Sequence, residues 1–138
     1  MIVVNSGILN LSLFSKQRYN SSWCAVSVAN GATLRIGGTG TFPANFASRS
    51  LALTSTIEYN GLAQTVSAET YGNLTLSSSS GAVVKTMPST AFTVAGNFYC
   101  TPGAGTNVSA TAAANIVITG STTLMPALRS MGEVSHWI

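Results

Sequence analysis

Tyr71-Gly72-Asn73-Leu74-Thr75-Leu76 and Ala95-Gly96-Asn97-Phe98-Tyr99-Cys100 are two versions of one phrase, set 24 residues apart. Each is a Gly-Asn corner feeding a short strand whose alternate residues are apolar. A unit of that length cannot bury its own apolar face, so neighbouring units must stack on one another. The expected architecture is therefore all-β, a parallel β-helix (β-solenoid) of several stacked rungs. Its corners repeat because each turn bends at the same place.

Moving outward from the phrase, period-2 alternation recurs along the chain, the pattern of strands with one buried face. Leu9, Leu11 and Leu13 share a face, as do Val26 and Val28, Leu34 and Ile36, Ile57 and Tyr59, Leu74 and Leu76, Phe92 and Val94, and Ile116 and Ile118. Corresponding pairs begin near 9, 34, 57, 74, 92 and 116, a spacing of roughly 17 to 25 residues. No stretch longer than ten residues has helical period. The alternative is a β-sandwich, because Asn30-Gly31 and Asn60-Gly61 are hairpin-type turn dipeptides. A sandwich, however, gives no reason for one corner-plus-strand phrase to recur at a fixed interval.

Composition narrows the setting. The 138 residues are 46% hydrophobic yet only 7% charged, against about 25% charged in an ordinary soluble domain. There is no Asp, and the acids are Glu58, Glu69 and Glu133. Ser, Thr, Asn and Gly supply the polar surface, as suits strands whose hydroxyls sit without the desolvation cost of charge. The net charge of +3 comes from six basic residues scattered along the chain. Nucleic-acid binders cluster theirs, so no nucleic-acid partner is expected. No apolar run approaches the ~20 residues of a membrane helix. The start, Met1-Ile2-Val3-Val4-Asn5, lacks the basic and apolar regions of a signal peptide, and with the repeats it suggests a start inside a longer reading frame.

Candidate chemistry is sparse. His136 is the one imidazole, and no Gly-x-Ser-x-Gly elbow precedes a helix. Glu58 and Glu69 are two carboxylates of the kind a glycosidase needs, but the first lies on outward strand parity and the second in a loop. Both are expected as solubilising surface charges. Without Asp, calcium ligation is poorly served, and one His with two Cys makes no structural zinc site. Gly37-Gly38-Thr39-Gly40 lacks the Gly-Lys-Ser/Thr and following helix of a phosphate cradle. Cys24 and Cys100 share parity with apolar neighbours and read as core thiols, with a disulfide between them the alternative. No enzyme, cofactor or metal is expected.

The stretch Val28-Ala29-Asn30-Gly31-Ala32-Thr33-Leu34-Arg35-Ile36-Gly37-Gly38, then Thr41-Phe42-Pro43-Ala44-Asn45-Phe46, Ser55-Thr56-Ile57-Glu58-Tyr59-Asn60-Gly61, Gln64-Thr65-Val66-Ser67, Tyr71 through Leu76 and Thr93-Val94-Ala95-Gly96-Asn97-Phe98, resembles a known kind of sequence. It is similar to the β-solenoid repeat region of very large secreted bacterial surface proteins, adhesin-like or gliding-associated. The likeness is close over 25–98 and looser to about 120. It implies a divergent N-terminal rung over 1–24, solenoid repeats over 25–120 and a divergent C-terminal tail over 121–138. It further implies an extracellular, cell-surface location and a structural or adhesive role without catalysis. The implied partners are the rest of a larger parent polypeptide, neighbouring rungs and surface polysaccharide. Phe14 and Tyr99 are the candidate glycan-stacking rings, as outward aromatics among hydroxyls. Cut ends would expose strand edges, so the isolated chain is expected to self-associate.

Overall fold

The computed structural model describes residues 1–11, 25–42, 46–100, 108–111 and 116–124. Among them every element is a strand, and every pairing is parallel. The chain is a β-solenoid. Parallel pairing rules out the hairpin sandwich for these residues, because a two-residue turn can join only antiparallel strands.

The longest sheet holds six strands, β2 (Ile8–Asn10), β4 (Thr33–Ile36), β6 (Thr56–Tyr59), β9 (Asn73–Leu76), β12 (Phe98–Cys100) and β15 (Thr122–Leu124), stacked in that order. Ahead of it in the early turns comes a three-stranded sheet of β1 (Ile2–Val4), β3 (Ala25–Val28) and β5 (Ser48–Leu51). In the later turns that place in the sequence is taken by β8 (Thr70–Tyr71), β11 (Phe92–Val94) and β14 (Ile116–Ile118). A fourth sheet joins β7 (Gln64–Thr65), β10 (Val83–Thr86) and β13 (Val108–Thr111).

Register shows why the alternation produces this stack. Leu9, Leu34, Ile57, Leu74 and Phe98 lie opposite one another in turn, and all but Leu9 are buried. A second inward row runs Ile36, Tyr59, Leu76, Cys100. The expected series of 9, 34, 57 and 74 therefore holds as one row, but 92 and 116 do not continue it. Phe92 pairs with Ile116 on a different side, and Phe98 then Thr122 follow Leu74. Apolar spacing alone does not say which side of a turn a strand occupies.

The Gly-Asn corner is a side-chain ladder. The Asn73 Oδ1 accepts from the Asn97 backbone N–H at 2.9 Å, and the Asn97 Oδ1 accepts from Ser121 N–H at 2.9 Å. Asn73 Nδ2 donates back to the Thr54 and Ser55 carbonyls. Each amide thus covers backbone groups that a bend would leave unpaired. The glycine beside it leaves room for the rung below. A Cβ on Gly96 would collide with Asn73 Oδ1 and sit 2.8 Å from the Gly72 carbonyl oxygen. We therefore expect Gly96→Ala to cost roughly 2–3 kcal/mol, the range of overpacking with backbone shift. Urea denaturation measures it, and an unchanged stability, or the gain that Gly→Ala ordinarily brings by removing backbone freedom from the unfolded chain, would contradict the stacking role.

Candidate surface and buried polar nodes

The outer face of the six-stranded sheet carries the row Asn10, Arg35, Glu58, Thr75, Tyr99, placed in line by register. Tyr99 stands between Phe98 and Cys100, both buried, and is itself half-buried on the opposite parity. It neighbours Thr75 one rung away. Phe14, its expected companion, lies outside the described residues, as do Cys24, Glu133 and His136. The proposed pair of rings is thus represented by Tyr99.

Glu58 and Glu69 are more than solubilising charges. Arg35 Nε donates to Glu58 Oε2 at 2.7 Å across the rungs, and Ser77 Oγ donates to the other carboxylate oxygen at 2.8 Å. Glu69 pairs with Arg49, whose guanidinium also lies 5.9 Å from the Phe42 ring centroid, within cation–π range. The Glu58 and Glu69 side chains are only 15% and 13% exposed. Strand parity places Glu58 outside but does not reveal that its partner sits one rung away. The two carboxylates serve separate ion pairs, an arrangement unlike a catalytic pair facing one bond.

Two polar nodes lie inside the coil; strand parity places Tyr59 inward with Ile57 but does not point to Lys85, Gln64 or the hydroxyl pair. Lys85 and Gln64 are opposite each other in register and both buried. Lys85 Nζ donates to the Gly61 carbonyl at 2.7 Å, the Leu62 carbonyl at 2.9 Å and Gln64 Oε1 at 2.6 Å. Gln64 Oε1 also accepts from Gly61 N–H, while its Nε2 donates to the Ile36 and Gly40 carbonyls. Every proton of the ammonium has an acceptor, which is what permits a buried lysine. Desolvation still pulls its pKa down to about 8, opposed by Cys100 and Glu58. Burial pushes the Cys100 thiol up to about 11.

The second node joins two tyrosines. The Tyr59 and Tyr71 hydroxyls lie 3.2 Å apart, Tyr71 donates to the Ser67 carbonyl at 2.6 Å, and Ser67 N–H donates to Tyr59. Desolvation raises both phenol pKa values. Tyr71 also meets Phe92 edge to face at 5.9 Å, a favoured aromatic geometry.

An open hollow of about 330 Å³ is lined by Ala68, Glu69, Thr70, Ala91, Phe92 and Thr93. Its acid is the one already paired with Arg49. Among the described residues no group of three His, Cys, Asp or Glu side chains could hold a metal ion, and no helix is long and apolar enough to cross a membrane. No protein-family model, curated protein or solved structure matches the chain.

Proposed function

We propose that this chain is a non-catalytic structural repeat segment of a secreted bacterial cell-surface protein, an extended scaffold that sets length and presents surface. One observation carries the reading. The described side chains best suited to chemistry are engaged with neighbouring rungs: Arg35 with Glu58, Arg49 with Glu69, and Lys85 with Gln64 and two carbonyls. These groups, outside the coil and within it, hold turns together. The extracellular setting is supported by the scarcity of charge and by the repeat resemblance. The partners it implies are the rest of a longer polypeptide and neighbouring rungs.

The test exploits the ladder. Deleting residues 97–120 joins Gly96 to Ser121, whose N–H already caps an Asn Oδ1 in the way Asn97 does. Quasi-one-dimensional stacking predicts a soluble, β-rich product shortened by one rung, about 4.8 Å along the axis. The intact chain should show only background retention on insoluble polysaccharides. Loss of the β-type circular dichroism on deletion, or saturable polysaccharide retention, would count against a spacer.

Tyr99 favours a second reading, a carbohydrate-binding surface on the β-helix. Its half-buried ring lies on the outer face beside Thr75, and an aromatic face of this kind offers apolar area with a polar hydroxyl at its edge. On this reading Tyr99→Ala lowers polysaccharide retention about tenfold, the scale of one ring contact. Unchanged retention sinks it.

A further inference from the structure

The two Asn-Gly dipeptides are the most deamidation-prone sequences in the chain, because a glycine nitrogen attacks the preceding Asn side chain without steric hindrance. The fold treats them very differently. Asn30-Gly31 forms the corner between β3 and β4, and both residues are exposed. Gly31 N–H is shared between the Thr54 carbonyl at 3.3 Å and the Thr54 hydroxyl at 3.2 Å. Asn30 Oδ1 accepts from the Thr54 N–H at 3.2 Å and from its hydroxyl at 3.0 Å. Among the described residues the clamp is one exposed threonine acting through long hydrogen bonds.

Asn60-Gly61 is held from inside. Gly61 is buried, and its N–H donates to Gln64 Oε1 at 2.8 Å. Its carbonyl accepts from Lys85 Nζ, which also grips Gln64 Oε1. Asn60 N–H donates in turn to the Ile36 carbonyl at 2.9 Å. The nucleophilic nitrogen is therefore tied into the buried Lys85–Gln64 node. Freeing it requires opening that node, and reaction through an opened state is slowed by the opening equilibrium.

We propose that Asn30 is a site of spontaneous deamidation in the folded protein and that Asn60 is protected from the same reaction by the Lys85–Gln64 node. In the first step Gly31 N loses its proton to solvent base and attacks Asn30 Cγ, closing a five-membered succinimide and expelling ammonia. Water then opens the ring at either carbonyl to give isoaspartate or aspartate. The net change is Asn plus water to a carboxylic acid plus ammonia. The product lowers the formal net charge of +3 by one. It removes the side-chain amide at Asn30, and isoaspartate adds a carbon to the main chain at the corner that Thr54 holds.

The test keeps the full-length folded chain in mildly alkaline buffer and follows both sites by peptide mass mapping and isoaspartate quantification. A parallel sample is kept in urea. In urea both sites should convert at similar rates. In the folded chain Asn60 should convert at least about tenfold more slowly than Asn30, the retardation expected of a site that must open first. Thr54→Val should speed conversion at Asn30 several-fold and leave Asn60 unchanged. Equal rates at the two sites in the folded chain would overturn the proposal. So would an Asn30 that stays intact while the unfolded chain converts, or a Thr54→Val chain with no acceleration at Asn30.

Discussion

Leu74→Asp is expected to unfold the central turns, with a loss of about 5 kcal/mol or more. Leu74 is fully buried between Ile57 and Phe98, one rung below and one above. Removing a buried leucine side chain costs roughly 2–5 kcal/mol through lost transfer and the cavity left behind. A carboxylate placed there has no partner, and an unpaired buried charge adds several kcal/mol more. A domain's whole stability is only about 5–15 kcal/mol. Because each rung is the platform for the next, damage at the middle of the stack propagates in both directions. Val84→Asp is the control, since Val84 is 46% exposed, and it should change stability by less than about 1 kcal/mol. Urea midpoints of the two variants decide the matter. A soluble Leu74→Asp chain as stable as the Val84→Asp chain would refute the core assignment.

That contrast also marks what the sequence makes legible. Alternation identifies inward residues wherever they are apolar, because a one-residue slip would turn the whole set to solvent. Leu34, Ile57, Leu74 and Phe98 are readable for this reason. The paired phrases at 72 and 96 identify the stack, since their corners are bonded rung to rung through Asn73 and Asn97. Turn length is less legible. The step from Ile57 to Leu74 is 17 residues and the next, to Phe98, is 24, so spacing alone mixes strands from different sides.

Lys85 was hidden for a different reason. Parity reading sends charges outward, yet in β10 it is Val84 that faces solvent and Lys85 that is buried. What stabilises that inversion is a set of carbonyls converging from the Gly61-Leu62 corner, which only the folded backbone assembles. A usable signal does exist. Gln64 and Lys85 lie 21 residues apart, inside the range of rung spacings, so two polar residues could have been read as stacked. The Asn-Gly dipeptides, the argument for the sandwich alternative, make solenoid corners here instead of hairpins.

The interior polar groups make the protein's stability depend on alkaline pH in a non-monotonic way. Lys85 titrates near 8 when folded and near 10.5 when unfolded. Between those values the unfolded chain binds the extra proton, so Lys85 makes stability rise with pH at up to about 1.4 kcal/mol per unit. Cys100 acts oppositely: its pKa rises from 9.0 to about 11 on folding. Across that window the folded chain keeps a proton that the unfolded chain loses, and the two contributions nearly cancel. Tyr59 and Tyr71 start from 10.0 and are both raised by burial. Above that point both phenols lose their protons on unfolding, giving a fall of up to about 3 kcal/mol per pH unit. Stability should therefore rise modestly from pH 8 to 9, level off, and then drop steeply above pH 10. Urea midpoints across this range, with phenolate absorbance of the folded chain, are the measurement. Lys85→Met should abolish the initial rise, and Tyr59→Phe with Tyr71→Phe should flatten the final drop. Phenolate absorbance from both buried tyrosines at ordinary pH with the fold intact would show that the phenols are not desolvated, and the buried hydroxyl pair would fall with it.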